Sequence, residues 1–347
     1  MLLFSLIRPV LACVAFLLLG QPLAHSADTP GNYTFRSYGP EQGLRNQAVT
    51  GIAQDRHGFL LVGTEDGLFR YDGSRFERFG SAEGMHSDSI MSLYAEPGGR
   101  IWVIGNKGAM AWDGTAPDPS VKVVILPEEK ILTMAASLAG SLIVTSAEGV
   151  YEGQPGRLVR AQGLPKMDGG AGWISPDGKE VMIAWHGDLY QRIGKGAWKV
   201  HRLPVGSRNE LIHTVLKDLR GRIWIRGPRL LLRLAVAGAA PEDLSATLPG
   251  AAMLRGHLAL DPQGRVWTTT TLGLARFDDK GIWILAEQQG LPTQSASSIL
   301  FDREGNLWMS SEGVHRLQGR LAWTAQTRRQ KLPSDTVWNM ARSRDGI

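Results

Sequence analysis

The side chains that could serve a ligand or a reaction are spread through the chain and do not gather in one motif. Arg45 and Asn46, His86 and Asp88, Trp185 and His186, Arg226, and Gln294 and Ser295 offer cations, amides, imidazoles, a carboxylate, a hydroxyl and one large ring. That set suits binding. A ring with amide and carboxylate neighbours can hold a sugar, and a guanidinium can hold an anion. It does not suit the common catalytic arrangements. No Gly-x-Ser-x-Gly elbow occurs, and Gly194-Lys195 is followed by Gly196, not by the Ser or Thr of a phosphate loop. The eight histidines show no His-Glu-x-x-His spacing. Most acidic residues fall in recurring turns, which leaves no facing carboxylate pair for glycosidase chemistry. No catalytic residue, metal ligand or cofactor is assigned.

The scaffold that must position these residues is a repeat. Its clearest copy runs from Asp55 to Leu68 as a polar turn, an apolar run, a second polar turn and the start of another run. Asp55 and Gly58 suit a tight turn, because Asp can bond its own backbone and Gly tolerates positive φ. The apolar run is short, as a buried strand would be. The first-turn glycine returns at Gly58, Gly99, Gly140, Gly178, Gly221, Gly264, Gly305 and Gly346, at separations of 41, 41, 38, 43, 43, 41 and 41 residues. Three positions later stand Leu61, Trp102, Ile143, Val181, Trp224, Trp267 and Trp308. A period near forty with four short strands per unit predicts an all-β fold, a seven-bladed β-propeller of four-stranded antiparallel blades. A β-sandwich with regular turns is the alternative, but it does not require one bulky residue at one offset seven times. The constant offset also marks Trp102, Trp224, Trp267 and Trp308 as packing between blades, not as a ligand box.

Composition agrees with a large folded domain. The chain has 347 residues, 43% apolar and 20% charged, with 42 glycines for its turns. Residues 1–26 read as a signal peptide, with Arg8 before an apolar stretch from Val10 to Gly20 and small residues at Ala24-His25-Ser26. An uncleaved anchor is the alternative. Removing Arg8 takes the net charge from +5 to +4, and the basic residues are scattered, so nucleic acid is not an expected partner. Cys13, the single cysteine, leaves with the signal, so the mature chain has neither thiol nor disulfide. The propeller is assigned to 27–323. Tyr33 to Tyr38 is expected to close the ring as the outer strand of the last blade, leaving no open edge. Residues 324–347 are read as a linker and the cut-off start of a further repeat, which makes the chain the N-terminal part of a longer protein.

Gly43-Leu44, Ala48-Val49, Gly63-Thr64-Glu65-Asp66-Gly67-Leu68, Tyr71-Asp72-Gly73, and Asp302-Arg303-Glu304-Gly305-Asn306-Leu307-Trp308 together resemble the two-component regulator propeller repeat. The resemblance implies the periplasmic sensor region of a membrane receptor whose output is a histidine kinase or diguanylate cyclase. It also implies an inner-membrane anchor beyond this chain. A more distant likeness to streptogramin-lyase-type propellers keeps a secreted enzyme open as the alternative, with a protein-interaction ring as a third reading. Partners expected of the sensor are a small ligand (a glycan or an anion), the receptor's downstream domains and a second copy in a homodimer. Because strand direction alternates, the Asp-x-x-Gly turns fall on one face. The links between units fall on the other, with the nine candidate ligand residues, and a ligand is expected there.

Overall fold

A computed structural model describes residues 32–106, 108–112, 130–204, 210–250, 256–279, 281–322, 325, 328, 334 and 336. The expected signal peptide, and most of the expected linker and further repeat, lie outside the described residues. Seven antiparallel sheets follow one another around a ring, and the seven-bladed propeller expected from the repeat is what the chain forms. Blade one is Val49–Gln54, Leu60–Thr64, Gly67–Tyr71 and Phe76–Phe79. Blade four is Ala171–Ile174, Glu180–Trp185, Asp188–Ile193 and Lys199–Arg202. Blade two has three described strands; residues 113–129, which follow them, are not described. In blade seven Phe35–Tyr38 pairs with Gly313–Leu317, from Phe35 opposite Leu317 to Tyr38 opposite Val314. The first described strand thus completes the last blade.

The hydrophobic interior is divided into seven clusters, one at each junction between neighbouring blades. Val62, Phe69 and Tyr71 of blade one meet Tyr38, Trp308 and Val314 of blade seven. Met182 and Leu189 of blade four meet Val215 and Ile225 of blade five. A sandwich would have one such layer, so this division separates the two architectures. Hydroxyls near the ring centre add polar ties in the same sense around it. Thr50 Oγ1 donates to the Ile90 carbonyl at 2.8 Å, Thr145 Oγ1 to Gly170 at 2.9 Å, and Thr214 Oγ1 to Gly256 at 3.0 Å, each in the next blade.

The recurring turn has one physical logic. All seven described first-turn glycines have φ between 74° and 92°, where a Cβ is strained. In blades five, six and seven the aspartate three residues earlier accepts turn amides through Oδ1: in blade six, Asp261 takes Gln263 N–H at 3.0 Å and Arg265 N–H at 2.9 Å. Its Oδ2 then accepts the indole N–H of the tryptophan six residues on. That bond is 2.9 Å at Asp218–Trp224, 2.9 Å at Asp261–Trp267 and 2.8 Å at Asp302–Trp308. In blade two Glu96 Oε1 plays the part for Trp102 at 2.5 Å. These four rings are all buried. A buried indole needs an acceptor and a buried carboxylate needs donors, so each satisfies the other.

Candidate functional site

The face that carries the links and second-to-third-strand turns holds the candidate ligand residues, but as separate groups. Arg45 is exposed in the link into blade one, and Asn46 Oδ1 accepts Ala48 N–H at 2.8 Å. Asp88 accepts Ser81 N–H and Ser81 Oγ–H, both at 2.7 Å, and so fixes its own loop. His86 borders a hollow of about 10 Å³, room for roughly one water. Gln294 donates to Glu287 at 3.2 Å, and Ser295 is exposed nearby in blade seven.

Arg226 has a different place. Its relative exposure is 1%, and its hydrogen-bond acceptors among the described residues are carbonyls and one hydroxyl. It donates to the carbonyls of Gly227, Pro228 (3.3 Å), Leu230 (3.1 Å) and Thr269 (3.3 Å), and to Thr268 Oγ1 at 3.2 Å. The first three belong to the second-to-third-strand turn of blade five, which has Leu230 where blades one and two have Gly67 and Gly108, nine residues after the first-turn glycine, and the last two to blade six. The guanidinium therefore caps an irregular turn and ties two blades. Burial pulls its pKa down to about 10, so it stays charged at neutral pH.

Trp185 and His186 are brought together, and Asp168, which the sequence did not single out, joins them. Trp185 ends the second strand of blade four, and His186-Gly187 is the two-residue turn that follows, with Trp185 opposite Asp188. Both turn residues have positive φ, 42° at His186 and 82° at Gly187, as a primed hairpin turn requires. That turn lays the imidazole against the indole, centroids 4.6 Å apart. Asp168 comes from the link into the inner strand. Its Oδ1 accepts Trp185 Nε1–H at 3.0 Å and lies 3.5 Å from His186 Nε2. Gly170 in the same link permits the approach, since a Cβ there would sit 3.2 Å from Trp185 Cβ. The Trp185 N–H bond and then a backbone N–H hold the Asp168 carboxyl below its usual range against the opposing effect of burial, with His186 adding a smaller downward pull. The result is a half-exposed ring with a carboxylate and an imidazole at its edge. On the opposite face, a cleft of about 150 Å³ between blades six and seven is lined by apolar Phe301, Leu317 and Leu321 and by charged Asp261, Arg265 and Glu304 among others. Among the described residues there is no group of three metal-ligating side chains, and no helix is long and apolar enough to cross a membrane.

Comparison with known proteins places this fold in a class. Residues 290–313 match the family described as "Two component regulator propeller", so the repeat resembled in sequence is present in blade seven. Histidine kinase P4 of Formosa agariphila is 46% identical over 46 residues, 13% of this chain and 3% of that protein. The extracellular domain of the hybrid two component system BT3049 from B. thetaiotaomicron superimposes with a TM-score of 0.65 at 19% identity, over 82% of this chain and 42% of that one. Virginiamycin B lyase from Staphylococcus aureus has the same fold, with a TM-score of 0.61 at 11% identity over 82% of this chain and 99% of the lyase. The chain thus spans less than half of each receptor it matches.

Proposed function

We propose that this propeller is the extracytoplasmic sensor of a membrane receptor and binds a glycan on the link face of blade four. The observation that carries the reading is the Asp168–Trp185–His186 arrangement. An indole face stacks on the apolar C–H side of a sugar ring, and the adjacent carboxylate and imidazole take its hydroxyls. The repeat family and the receptor domains of like fold support the sensor role, with a cleaved signal peptide, an inner-membrane anchor, and a kinase or cyclase output beyond these residues. No step of catalysis is assigned to the chain.

A ligand can signal only if it interacts differently with two arrangements of the receptor. The ring is packed at every junction and tied by hydroxyls at three of them. The variable element is then the ring's orientation relative to the next domain or to a second copy in a homodimer.

The test is calorimetry with a panel of oligosaccharides and Trp185→Ala as the variant. Saturable binding that drops by about tenfold or more in the variant is expected, as a lost stacking platform requires. Unchanged affinity in Trp185→Ala, or no binding across the panel, overturns the site. The streptogramin-lyase fold and the Asp168–His186 pair give a secreted enzyme as the second reading. Substrate turnover abolished by His186→Ala would favour it.

A further inference from the structure

Blade seven lacks a turn that blade one has. In blade one the third strand returns from Tyr71 to its own fourth strand at Phe76. In blade seven the fourth strand is Phe35–Tyr38, so the chain after Leu317 need not return. It takes one 3₁₀ turn instead, Gly319–Leu321, closed by Ala322 N–H on the Gly319 carbonyl at 2.8 Å. Leu321 adopts φ 64°, a left-handed conformation that a leucine rarely takes. Its side chain is held against the cluster that contains Tyr33, Leu307 and Leu317. A leucine in a strained conformation is thereby made one wall of the cleft between blades six and seven.

The cleft passes from an apolar floor to a charged rim. Leu307 and Leu317, each 1% exposed, and the partly buried Phe301 stand at the turn-face ends of three blade-seven strands. Pro262 of blade six closes one side, since a Cβ built on Gly305 would lie 3.2 Å from its Cγ. The volume of about 150 Å³ suits one benzene-sized apolar group. The charged residues are less buried: Arg265 of blade six has a side chain 32% exposed, and Glu304 of blade seven is exposed. Arg265 is fixed by Asp261 Oδ2 on its Nε at 2.6 Å and by Gln263 Oε1 on its Nη2 at 2.9 Å. Among the described residues nothing accepts from its Nη1. Glu304 takes Gln54 Nε2–H through Oε2 at 3.2 Å, which leaves Oε1. Asp261 and Arg265 offset each other in charge, so the rim combines an available guanidinium N–H with one unbalanced carboxylate. A carboxylate complements the first and an ammonium group the second.

We infer that this cleft binds an α-amino acid with an apolar side chain. The side chain fills the floor, the carboxylate meets Arg265 Nη1, and the ammonium group meets Glu304. The site lies on the face opposite the Trp185 platform and does not depend on it. Its test is calorimetric titration of the chain with L-leucine and L-phenylalanine. Leucinamide, 4-methylpentanoate and L-glutamate serve as probes that lack the carboxylate, the amine and the apolar side chain in turn. Saturable binding of leucine or phenylalanine is expected, about tenfold weaker for leucinamide and for 4-methylpentanoate, and absent for glutamate. Glu304→Gln, at an exposed position, is expected to weaken leucine by about tenfold and to leave 4-methylpentanoate unchanged. Arg265→Gln is expected to weaken leucine and to spare leucinamide. Arg265 also supports Asp261, so the melting temperature of that variant is read first, and Glu304→Gln decides where Arg265→Gln does not fold. Absence of saturable binding by both amino acids overturns the site. Equal affinity for leucine, leucinamide and 4-methylpentanoate overturns it too, as does glutamate binding as tightly as leucine. An unchanged leucine affinity in Glu304→Gln has the same consequence.

Discussion

Blades six and one are written with nearly the same phrase and finish the same turn differently. In blade six, Asp261 Oδ2 receives Arg265 Nε–H at 2.6 Å and Trp267 Nε1–H at 2.9 Å. In blade one the residues at those two offsets are Phe59 and Leu61. Asp55 Oδ1 still takes His57 N–H at 2.9 Å and Phe59 N–H at 3.0 Å, but its Oδ2 is buried with no hydrogen-bond partner. Blades three and four resolve the difficulty from the other side. They place Ile143 and Val181 where the tryptophan would be, and Ser137 and Ser175 where the carboxylate would be. Each serine hydroxyl accepts one turn amide, Ser141 N–H at 3.1 Å and Glu180 N–H at 2.9 Å. The tryptophan and the carboxylate form one device, a serine with an aliphatic residue forms another, and blade one mixes the two. An unpaired buried acceptor costs roughly 1–3 kcal/mol, so blade one should be the ring's weaker turn.

The largest test of that contrast gives blade six the residue of blade one. Trp267 is fully buried in the blade-six packing. Trp267→Leu removes most of a ring and one donor to Asp261, and is expected to lower stability by about 3–4 kcal/mol. Urea denaturation followed by far-UV circular dichroism reads the change. A loss below about 1 kcal/mol would mean that the indole is not what completes the turn.

A smaller effect discriminates the two turns directly. Asp302 Oδ2 accepts Trp308 Nε1–H and Asn306 Nδ2–H, both at 2.8 Å. Asp302→Asn must point an NH₂ either at those donors or at the Asn306 backbone N–H, which Oδ1 now accepts at 2.7 Å. A cost of about 2 kcal/mol follows. Asp55→Asn can keep its oxygen on the turn amides and place the NH₂ where nothing donates, so it should cost under about 1 kcal/mol. Equal losses in the two variants, measured by the same denaturation, would show that the unpartnered oxygen of Asp55 is not a real difference between the blades.

The period, the seven units, the turn glycines and the packing role of the tryptophans were legible in sequence, because each is fixed by an offset inside the repeat. The strand at Tyr33 to Tyr38 was legible too, since it matches Arg75 to Phe79, the outer strand of blade one, but which strand closes the ring is settled only by its pairing with Gly313–Leu317. The candidate site was less so. Counting strands put Arg226 at a loop on the link face, which is correct for its backbone. Its side chain goes inward because the turn through Pro228 leaves carbonyls that a glycine turn would have arranged otherwise. The sequence offered Arg226 to an anion; the capping role is seen only in the bonds its side chain makes. Asp168 lies in a link of variable length between units and so has no offset to mark it. Its partners Trp185 and His186 were visible because they flank a turn that does.

The smallest expected effect separates the ring's closure from its turns by pH. His315 stands on the strand that receives the N-terminal strand, 7% exposed. Its Nδ1 is 2.8 Å from Ser37 Oγ, across the closure, and its Nε2 is 3.0 Å from Ser311 Oγ. Burial lowers its pKa from 6.5, so the unfolded chain takes up a proton at a higher pH than the folded ring does. The stability tied to neutral His315 is then full above pH 6.5 and is lost as pH falls from 6.5 through the lowered folded value. One turn carboxylate, Asp218, responds in a lower window. Burial raises Asp218, but Trp224, Arg222 and a turn amide more than offset it, and its pKa lies below 3.8. Its contribution persists above pH 3.8 and falls away only as the pH drops through that lowered value. Between pH 6.5 and 5, the melting temperature of the wild type should therefore decline, and His315→Gln should flatten the decline while leaving the acid limb below pH 3.8 in place. An unchanged slope in His315→Gln would assign the mid-range response to the other histidines and leave the closure no more sensitive to protons than the turns.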